Sequence, residues 1–304
     1  MEIKIAFLCL AHNNFTYLEH LSHYYCSEDD GFFVHIDSNV AHRSFNDMDK
    51  KTVILSPQES YRTRWGTLNI IQATLALLKK AMETNKYNRF ILVSGADTPL
   101  ISKLELKEKL SDNLSYFSIW QKVAKSEKSI KSKEFFNHHF YNSNLTNPGE
   151  AYLSKSRTRI YTMLILNKLI ALLPNRQFFS YPTYAKGSQW WCITKELAEY
   201  VTCQLSDQNI LAQFKNMHAP DEKVFQTIAI NSPFTKNLNI DKSHESLKQG
   251  LHYVDWGFQN GTKALQSFTL NDVEHAKGIG CAFARKVESR DISSFISFFE
   301  TLKK

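Results

Sequence analysis

Two adjacent carboxylates, Asp221 and Glu222, stand in the segment HAPDEKVFQT between Pro220 and an apolar run. A carboxylate in such a place is able to act as a general base, which takes the proton of an attacking hydroxyl group. The same pattern is typical of a helix start, because proline suits the first helical position and acidic side chains there favour the helix dipole. The spacing alone leaves both interpretations open.

Other polar residues follow apolar runs of strand length. His35 and Asp37 alternate in VHID, and Gly95 and Asp97 lie in the loop SGADTPL. Ligands of open α/β sheets bind at the carboxyl ends of the strands, so Asp37, Gly95 and Asp97 are predicted to border a binding site. The alternatives are a metal pair formed by His35 and Asp37, packing, and a purely turn-forming role for Asp97.

Aromatic and basic residues form a third group of candidates. Trp190 and Trp191 alternate in KGSQWW, so we expect one ring in the core and the other in a cleft, and HYVDWGF adds Trp256. Tryptophan rings stack on sugars, which makes Trp190 and Trp256 candidate acceptor-binding residues, although core packing is the commoner role. Lys263 and Lys286 suit a diphosphate if they converge, and are otherwise surface charges.

Composition excludes several classes of protein. With 304 residues, of which 43% are hydrophobic, the chain is long and apolar enough to bury a core. It has no GxGxxG, GxxxxGK[ST], HExxH or GxSxG motif. Its five cysteines are odd in number and lack CxxC spacing, so we predict neither disulfides nor a zinc site, and a reducing compartment.

The net charge of +7 raises the question of an anionic partner. No zinc-finger, RNP or GXXG pattern accompanies it, so nucleic-acid binding is not predicted. Lysines concentrate in residues 121–135, where a solvated loop is the simplest interpretation. Peripheral membrane contact through Lys122–Lys133, or through an apolar C-terminal helix with Phe295 and Phe299, is the alternative.

The order of elements predicts an α/β fold with a mostly parallel sheet. Apolar runs at 3–10, 31–37 and 89–95 read as strands, and helical spacing at 13–25 and 67–84 separates them. Further along, 102–110 reads as a helix that Ser102 could cap, 157–173 as a helix and 189–194 as a strand. We predict one domain over 1–304 with a loop or insertion at about 121–155. No segment approaches the length of a membrane-spanning helix, and the N-terminus lacks a signal peptide, which predicts a cytoplasmic protein.

Taken together, these segments resemble glycosyltransferase family 14, the core-2/I-branching β-1,6-N-acetylglucosaminyltransferases and the related peptide O-xylosyltransferases. The resemblance rests on eight blocks in family order, among them FVHIDSN, YNRFILVSGADTPLISKLEL, KGSQWWCITKELAEYV, APDEKVFQTIAINSPF and LNDVEHAKGIGCAFARKV. It implies a GT-A fold, a UDP-sugar donor, inversion at the anomeric carbon and no required metal ion. The lysine-rich middle matches poorly, and Ser38 stands where the family usually has a basic residue.

The resemblance also implies a role for individual residues. Glu222 matches the family's catalytic base, while Asp221 is expected to start the helix or to orient the base. Lys263, at a position usually occupied by arginine, and Lys286 would stabilise the leaving diphosphate in place of a cation. The remaining positions that match the donor site are Asp37, Trp65, Gly95, Asp97, Gly187 and Ser188.

The resulting hypothesis is transfer of GlcNAc from a UDP-sugar to a glycan or glycolipid acceptor through a β-1,6 linkage, without a cofactor. A xylosyl or other sugar transferase of the same fold is the first alternative. An inactive glycan-binding relative is the second, and retention of Glu222, Lys263 and Lys286 argues against it.

Overall fold

The computed structural model describes residues 2–40, 45–63, 66–126, 180–215, 217, 219–243, 247–259 and 262–302, with a few positions between 158 and 169. The first part of the chain forms β1 (Ile5–Ala11), α1 (Phe15–Tyr25), β2 (Gly31–Ile36), β3 (Val53–Ile54), α2 (Asn69–Met82), β4 (Arg89–Ser94), β5 (Thr98–Pro99), α3 (Lys103–Lys109) and β6 (Ser115–Ala124).

The second part continues with β7 (Thr183–Gly187), β8 (Cys192–Thr194), α4 (Lys195–Ser206), α5 (Gln208–Ala212), a 3₁₀ turn (Pro220–Glu222), α6 (Val224–Ile230), β9 (Leu238–Asp241), β10 (Lys248–Gln249), β11 (His252–Val254), β12 (Trp256–Gln259), β13 (Thr262–Leu265), α7 (Val273–Gly278), β14 (Phe283–Arg285) and α8 (Ile292–Thr301).

The central sheet has the strand order β3–β2–β1–β4–β8–β6–β7, and β9 also pairs with β6. Strands β3, β2, β1 and β4 are parallel, whereas β8 is antiparallel to both of its neighbours. The predicted α/β class with a mostly parallel sheet is therefore confirmed. The extent of a single domain over 1–304 stays a prediction.

Two hydrophobic cores cover the two faces of this sheet. Alternate residues of β1 point to opposite sides, so Ala6 and Leu8 pack with α2 and α4 while Phe7 and Cys9 pack with α1 and α8. This explains why β1 reads as a continuous apolar run, because a strand buried on both faces has no polar side.

A second sheet, ordered β10–β11–β14–β5, brings the C-terminal part of the chain against the loop after β4. Strand β14 runs antiparallel to β5, with Ala284 opposite Thr98. The connection is continued by Val287, whose N–H donates to the Ala96 carbonyl at 2.9 Å. Arg285 and Lys286 are thereby carried to the carboxyl end of β4.

The predicted cap of the third helix is confirmed. Ser102 caps α3 through a complete capping box with Glu105. The predicted helix over 157–173 falls mostly outside the described residues, and its described positions are helical.

Other local predictions are wrong. Strand β6 continues to Ala124, into the predicted loop, because Val123 is buried and the strand pairs with β7. The predicted strand over 189–194 starts only at Cys192. Phe295 and Phe299 are fully buried against the core, so the C-terminal helix does not present them to a membrane. Among the described residues, no helix is long and apolar enough to cross a membrane.

Gly187 lies at a close contact between β6 and β7. A Cβ atom added there would lie 1.7 Å from the backbone oxygen of Ser118, whereas one added at Gly278 would meet nothing within 4 Å. Strand β7 can approach β6 so closely only because this position has no side chain.

We expect Gly187→Ala to lower the free energy of unfolding by about 1–3 kcal/mol or more, because the backbone of β6 or β7 must move. Gly278→Ala is the matched control and should change stability little. Urea unfolding of both variants checks this expectation, and equal midpoints would contradict the assigned contact.

Candidate active site

A cleft of about 530 Å³ opens at the carboxyl ends of β1, β2 and β4, where ligands of such sheets bind. Its walls come from the loops after these strands, from the segment before β8 and from the end of β14. The residues that line it are Leu10, His12, Asn13, Asp37, Asn39, Val40, Thr63, Ile70, Ser94, Gly95, Ala96, Gln189, Trp190, Arg285 and Lys286. Four predicted site residues, Asp37, Gly95, Trp190 and Lys286, thus share one cavity.

The charges at this cleft are predominantly positive. The pKa of His12 is lowered by desolvation at the cleft wall, and the charges of Lys286 and Arg285 lower it further while Asp37 opposes them. This shift favours the neutral form of His12, so the positive charge at the cleft comes from Arg285 and Lys286 at the end of β14.

Asp37 organises the loops at the cleft. One carboxylate oxygen accepts the N–H of Asn39 at 2.8 Å, and the other accepts the N–H of Thr63 at 2.8 Å and the Thr63 hydroxyl. The neighbouring His35 accepts the Tyr61 N–H at Nε2, and burial lowers the pKa of His35 to about 4. Both side chains bond to loop groups, which does not favour the alternative of a metal pair.

A smaller pocket of about 320 Å³ adjoins the cleft and shares Asp37 and Val40 with it. Its remaining wall is mostly apolar and consists of Phe15, Ile36, Ser38, Phe45, Ile54, Leu55, Pro57 and Ser60. The two cavities together offer an apolar end near β2 and a cationic end near β14.

Asp97 lies beneath the cleft and is fully buried. Its carboxylate accepts the N–H and the hydroxyl of Ser94 at 2.6 and 2.7 Å, and it lies 3.5 Å from His252 and 3.8 Å from Arg285. Burial alone would raise the pKa of Asp97, but Arg285, His252 and Ser94 hold it below its ordinary value. The backbone of this loop borders the cleft, whereas the Asp97 side chain supports it from below.

Arg285 stacks on Trp190, with the guanidinium carbon 4.2 Å from the ring centroid. The ring of His252 lies near the same indole, at 5.4 Å between centroids. Trp190 is 6% exposed, so it offers an edge to the cleft and little free ring surface. Trp191 packs on Phe225 in the core, at 5.0 Å.

Gly187 and Ser188 connect the cleft to a second group of polar residues. The N–H of Ser188 donates to the Ser118 carbonyl at 3.0 Å, and Gln226 Nε2 donates to the Ser188 carbonyl at 2.5 Å. Ser188 is buried, so these bonds fix the turn that leads to Gln189 and Trp190.

Glu222 belongs to this second group and does not line the cleft. Its Oε2 lies 3.2 Å from Lys186 Nζ, and its side chain is 29% exposed. Asp221 is buried beside it, which together with the Glu222 charge raises the pKa of Asp221 to about 7. Burial and Lys186 lower the pKa of Lys223 to about 7. Asp221 and Glu222 were expected in the first turn of the α-helix. They lie instead in a 3₁₀ turn that precedes α6.

The remaining predicted site residues lie elsewhere. Trp256 begins β12 and is 44% exposed. Lys263 belongs to β13, where it pairs in register with Phe258 of β12. The side chain of Lys263 and the whole of Trp65 fall outside the described residues. Sequence reasoning assigned no role to Lys186 or His252, because each meets its acidic partner only through the fold.

The comparison with protein families agrees with this fold. Residues 5–277 match the model of the core-2/I-branching enzyme family, a span that includes Glu222 and ends before Lys286. The α/β architecture with its cleft at the strand ends is that of a GT-A glycosyltransferase. The chain belongs to the core-2/I-branching enzyme family and is a glycosyltransferase. No curated protein matches it.

Proposed function

We propose that this glycosyltransferase moves GlcNAc from a UDP-sugar to a hydroxyl group of a glycan or glycolipid through a β-1,6 linkage, with inversion and with Glu222 as the base. The observation that supports Glu222 as the base is the difference in burial among the acidic residues near the site. Asp97, Asp37 and Asp221 are 0%, 5% and 7% exposed, whereas the Glu222 side chain is 29% exposed. Of these four carboxylates, Glu222 is the one accessible to an acceptor.

The proposed reaction is a direct displacement. The acceptor oxygen forms a bond to the anomeric carbon as the bond from that carbon to the β-phosphate oxygen breaks, and its electron pair stays on the diphosphate. Glu222 takes the proton of the acceptor hydroxyl. The turn from Gly187 to Trp190 begins next to Lys186, which pairs with Glu222, and ends in the cleft. This path supports placing the donor sugar along the turn.

Fixed side chains replace a metal ion in this proposal. Lys286 lines the cleft, and Lys263 is a second candidate from β13. Asp97 follows β4, a position where a metal ligand would be expected. Its carboxylate accepts a hydrogen bond from Ser94 and faces Arg285 instead. Among the described residues, no group of three or more His, Cys, Asp or Glu has the arrangement of a metal site.

The two ends of the joined cavities suit the two ends of a nucleoside diphosphate. The apolar pocket beside Asp37 is proposed for the uridine, and the cationic end with Lys286 for the diphosphate. Trp256 is the more accessible of the two tryptophans proposed for the acceptor, because Arg285 and His252 cover Trp190.

Glu222→Gln should lower kcat by about 10²–10⁴-fold, because glutamine keeps the shape but cannot accept the proton. UDP release is measured with UDP-GlcNAc, UDP-xylose, UDP-galactose and UDP-glucose, and UDP-GlcNAc should be the best donor. Asp221→Asn, the neighbouring control, should lose less activity. A folded Glu222→Gln enzyme that keeps more than about a tenth of the turnover contradicts the assignment, and a preference for UDP-xylose overturns the proposed sugar.

Activity should survive EDTA, whereas Lys286→Ala should lower turnover by about 10²–10³-fold, the effect of losing one group that stabilises developing charge. Lys277→Ala removes an exposed lysine of α7 as a control and should leave turnover unchanged. Turnover assays before and after chelation check this expectation. Activity that requires added Mn²⁺ is the contrary result.

A cytoplasmic location with peripheral membrane contact is also part of this proposal, and the net charge of +7 supports it. The segment Lys122–Lys133 is the remaining candidate for that contact, and most of it lies outside the described residues. The protein should co-sediment with vesicles of anionic lipid at low salt and separate from them at high salt. Binding that resists high salt argues against an electrostatic contact.

A further inference from the structure

The ion pair between Lys186 and Glu222 joins two parts of the chain that the sequence gives no reason to combine. Lys186 Nζ lies 3.2 Å from Glu222 Oε2, and the two side chains are 26% and 29% exposed. Ion pairs near the surface usually contribute little to stability, so the fold gains little from this one.

The backbone on both sides of this pair is fixed. Strand β7 pairs with β6 along its length, with Lys186 opposite Gln121. Helix α6 is attached to β7 by the N–H of Ala185, which donates to Thr227 Oγ1 at 3.0 Å, and by Asn231 Nδ2, which donates to the Thr183 carbonyl at 2.7 Å. The fold therefore fixes the backbone positions from which the two side chains meet.

The charges around Glu222 give Lys186 a specific task. Asp221 is buried in the same 3₁₀ turn, and one of its carboxylate oxygens has no hydrogen-bond partner among the described residues. Two adjacent carboxylates repel each other, and each disfavours the charged form of the other. The ammonium of Lys186 offsets this repulsion at Glu222 and gives its side chain one preferred direction.

We propose that Lys186 is a positioning residue for the catalytic carboxylate: it holds Oε2 of Glu222 and leaves Oε1 directed to the acceptor hydroxyl. This inference rests on the proposed role of Glu222 as the base. Lys186 itself does not line the cleft proposed for the donor. Proton transfer requires the base within hydrogen-bond reach of the hydroxyl, so a carboxylate that turns away lowers kcat without changing donor binding.

Lys186→Met keeps the aliphatic chain and removes the charge. We expect kcat to fall on the order of 10²-fold, the effect of a misplacement of about 1 Å at a reacting group, while the KM of the donor and the Kd of UDP stay unchanged. Lys186→Arg restores a cation and should recover part of the turnover. Lys248→Met is the matched control, because Lys248 forms a similar ion pair with a different carboxylate, Asp241. The side chains of Lys248 and Asp241 are 26% and 24% exposed.

A double-mutant cycle with Glu222→Gln separates this inference from its alternatives. If Lys186 acts through Glu222, adding Lys186→Met to Glu222→Gln lowers kcat no further. The inference is overturned if Lys186→Met has wild-type kcat, if its effect is undiminished in the Glu222→Gln background, or if it weakens UDP binding. High turnover of Glu222→Gln alone overturns the assigned base and, with it, the role of Lys186. Thermal unfolding shows whether each variant is folded. If Lys186→Met is not folded, Lys186→Gln takes its place in the cycle.

Discussion

The fold around the cleft depends on the neutralisation of one buried carboxylate. Asp97 is fully buried, and a charge in such a place must be paired and hydrogen-bonded. Its compensating groups come from Ser94 in the same loop and from His252 and Arg285 in the second sheet. Removing one partner of a buried pair typically costs about 3–5 kcal/mol, so this cluster binds the second sheet to the central one.

That constraint also determines which side chains are left for chemistry. Because Arg285 faces Asp97 and lies over Trp190, the next residue, Lys286, is the exposed cation at this end of the cleft. The acidic residues divide in the same way. Asp37 and Asp97 hold loops, Asp221 is enclosed in its turn, and Glu222 keeps an accessible carboxylate. In the proposed site, the buried groups support the walls and the accessible groups are the ones assigned to the substrate.

Features that depend on neighbouring residues could be predicted from the sequence, whereas features that depend on distant residues could not. Strands β1, β2 and β4 and the cap at Ser102 follow from neighbouring residues, and these were predicted correctly. Trp190 and Trp191 share a strand-like pattern, yet their positions depend on Arg285 and Phe225, which lie far away in sequence. The pairing of Lys186 with Glu222 depends on β7 meeting α6, so no spacing rule reveals it. The resemblance supplied the assignment of Glu222 that the spacing left open.

The dependence of Asp97 on distant partners has a consequence for synthesis of the chain. His252 and Arg285 follow Asp97 at a long distance in the sequence, so the ribosome completes the loop after β4 long before these partners emerge. Helix α8, whose Phe299 packs on Tyr17 and Tyr24 of α1, is made later still. The N-terminal elements cannot reach their final packing until α8 has left the ribosome, and contacts of such long sequence separation are slow to form.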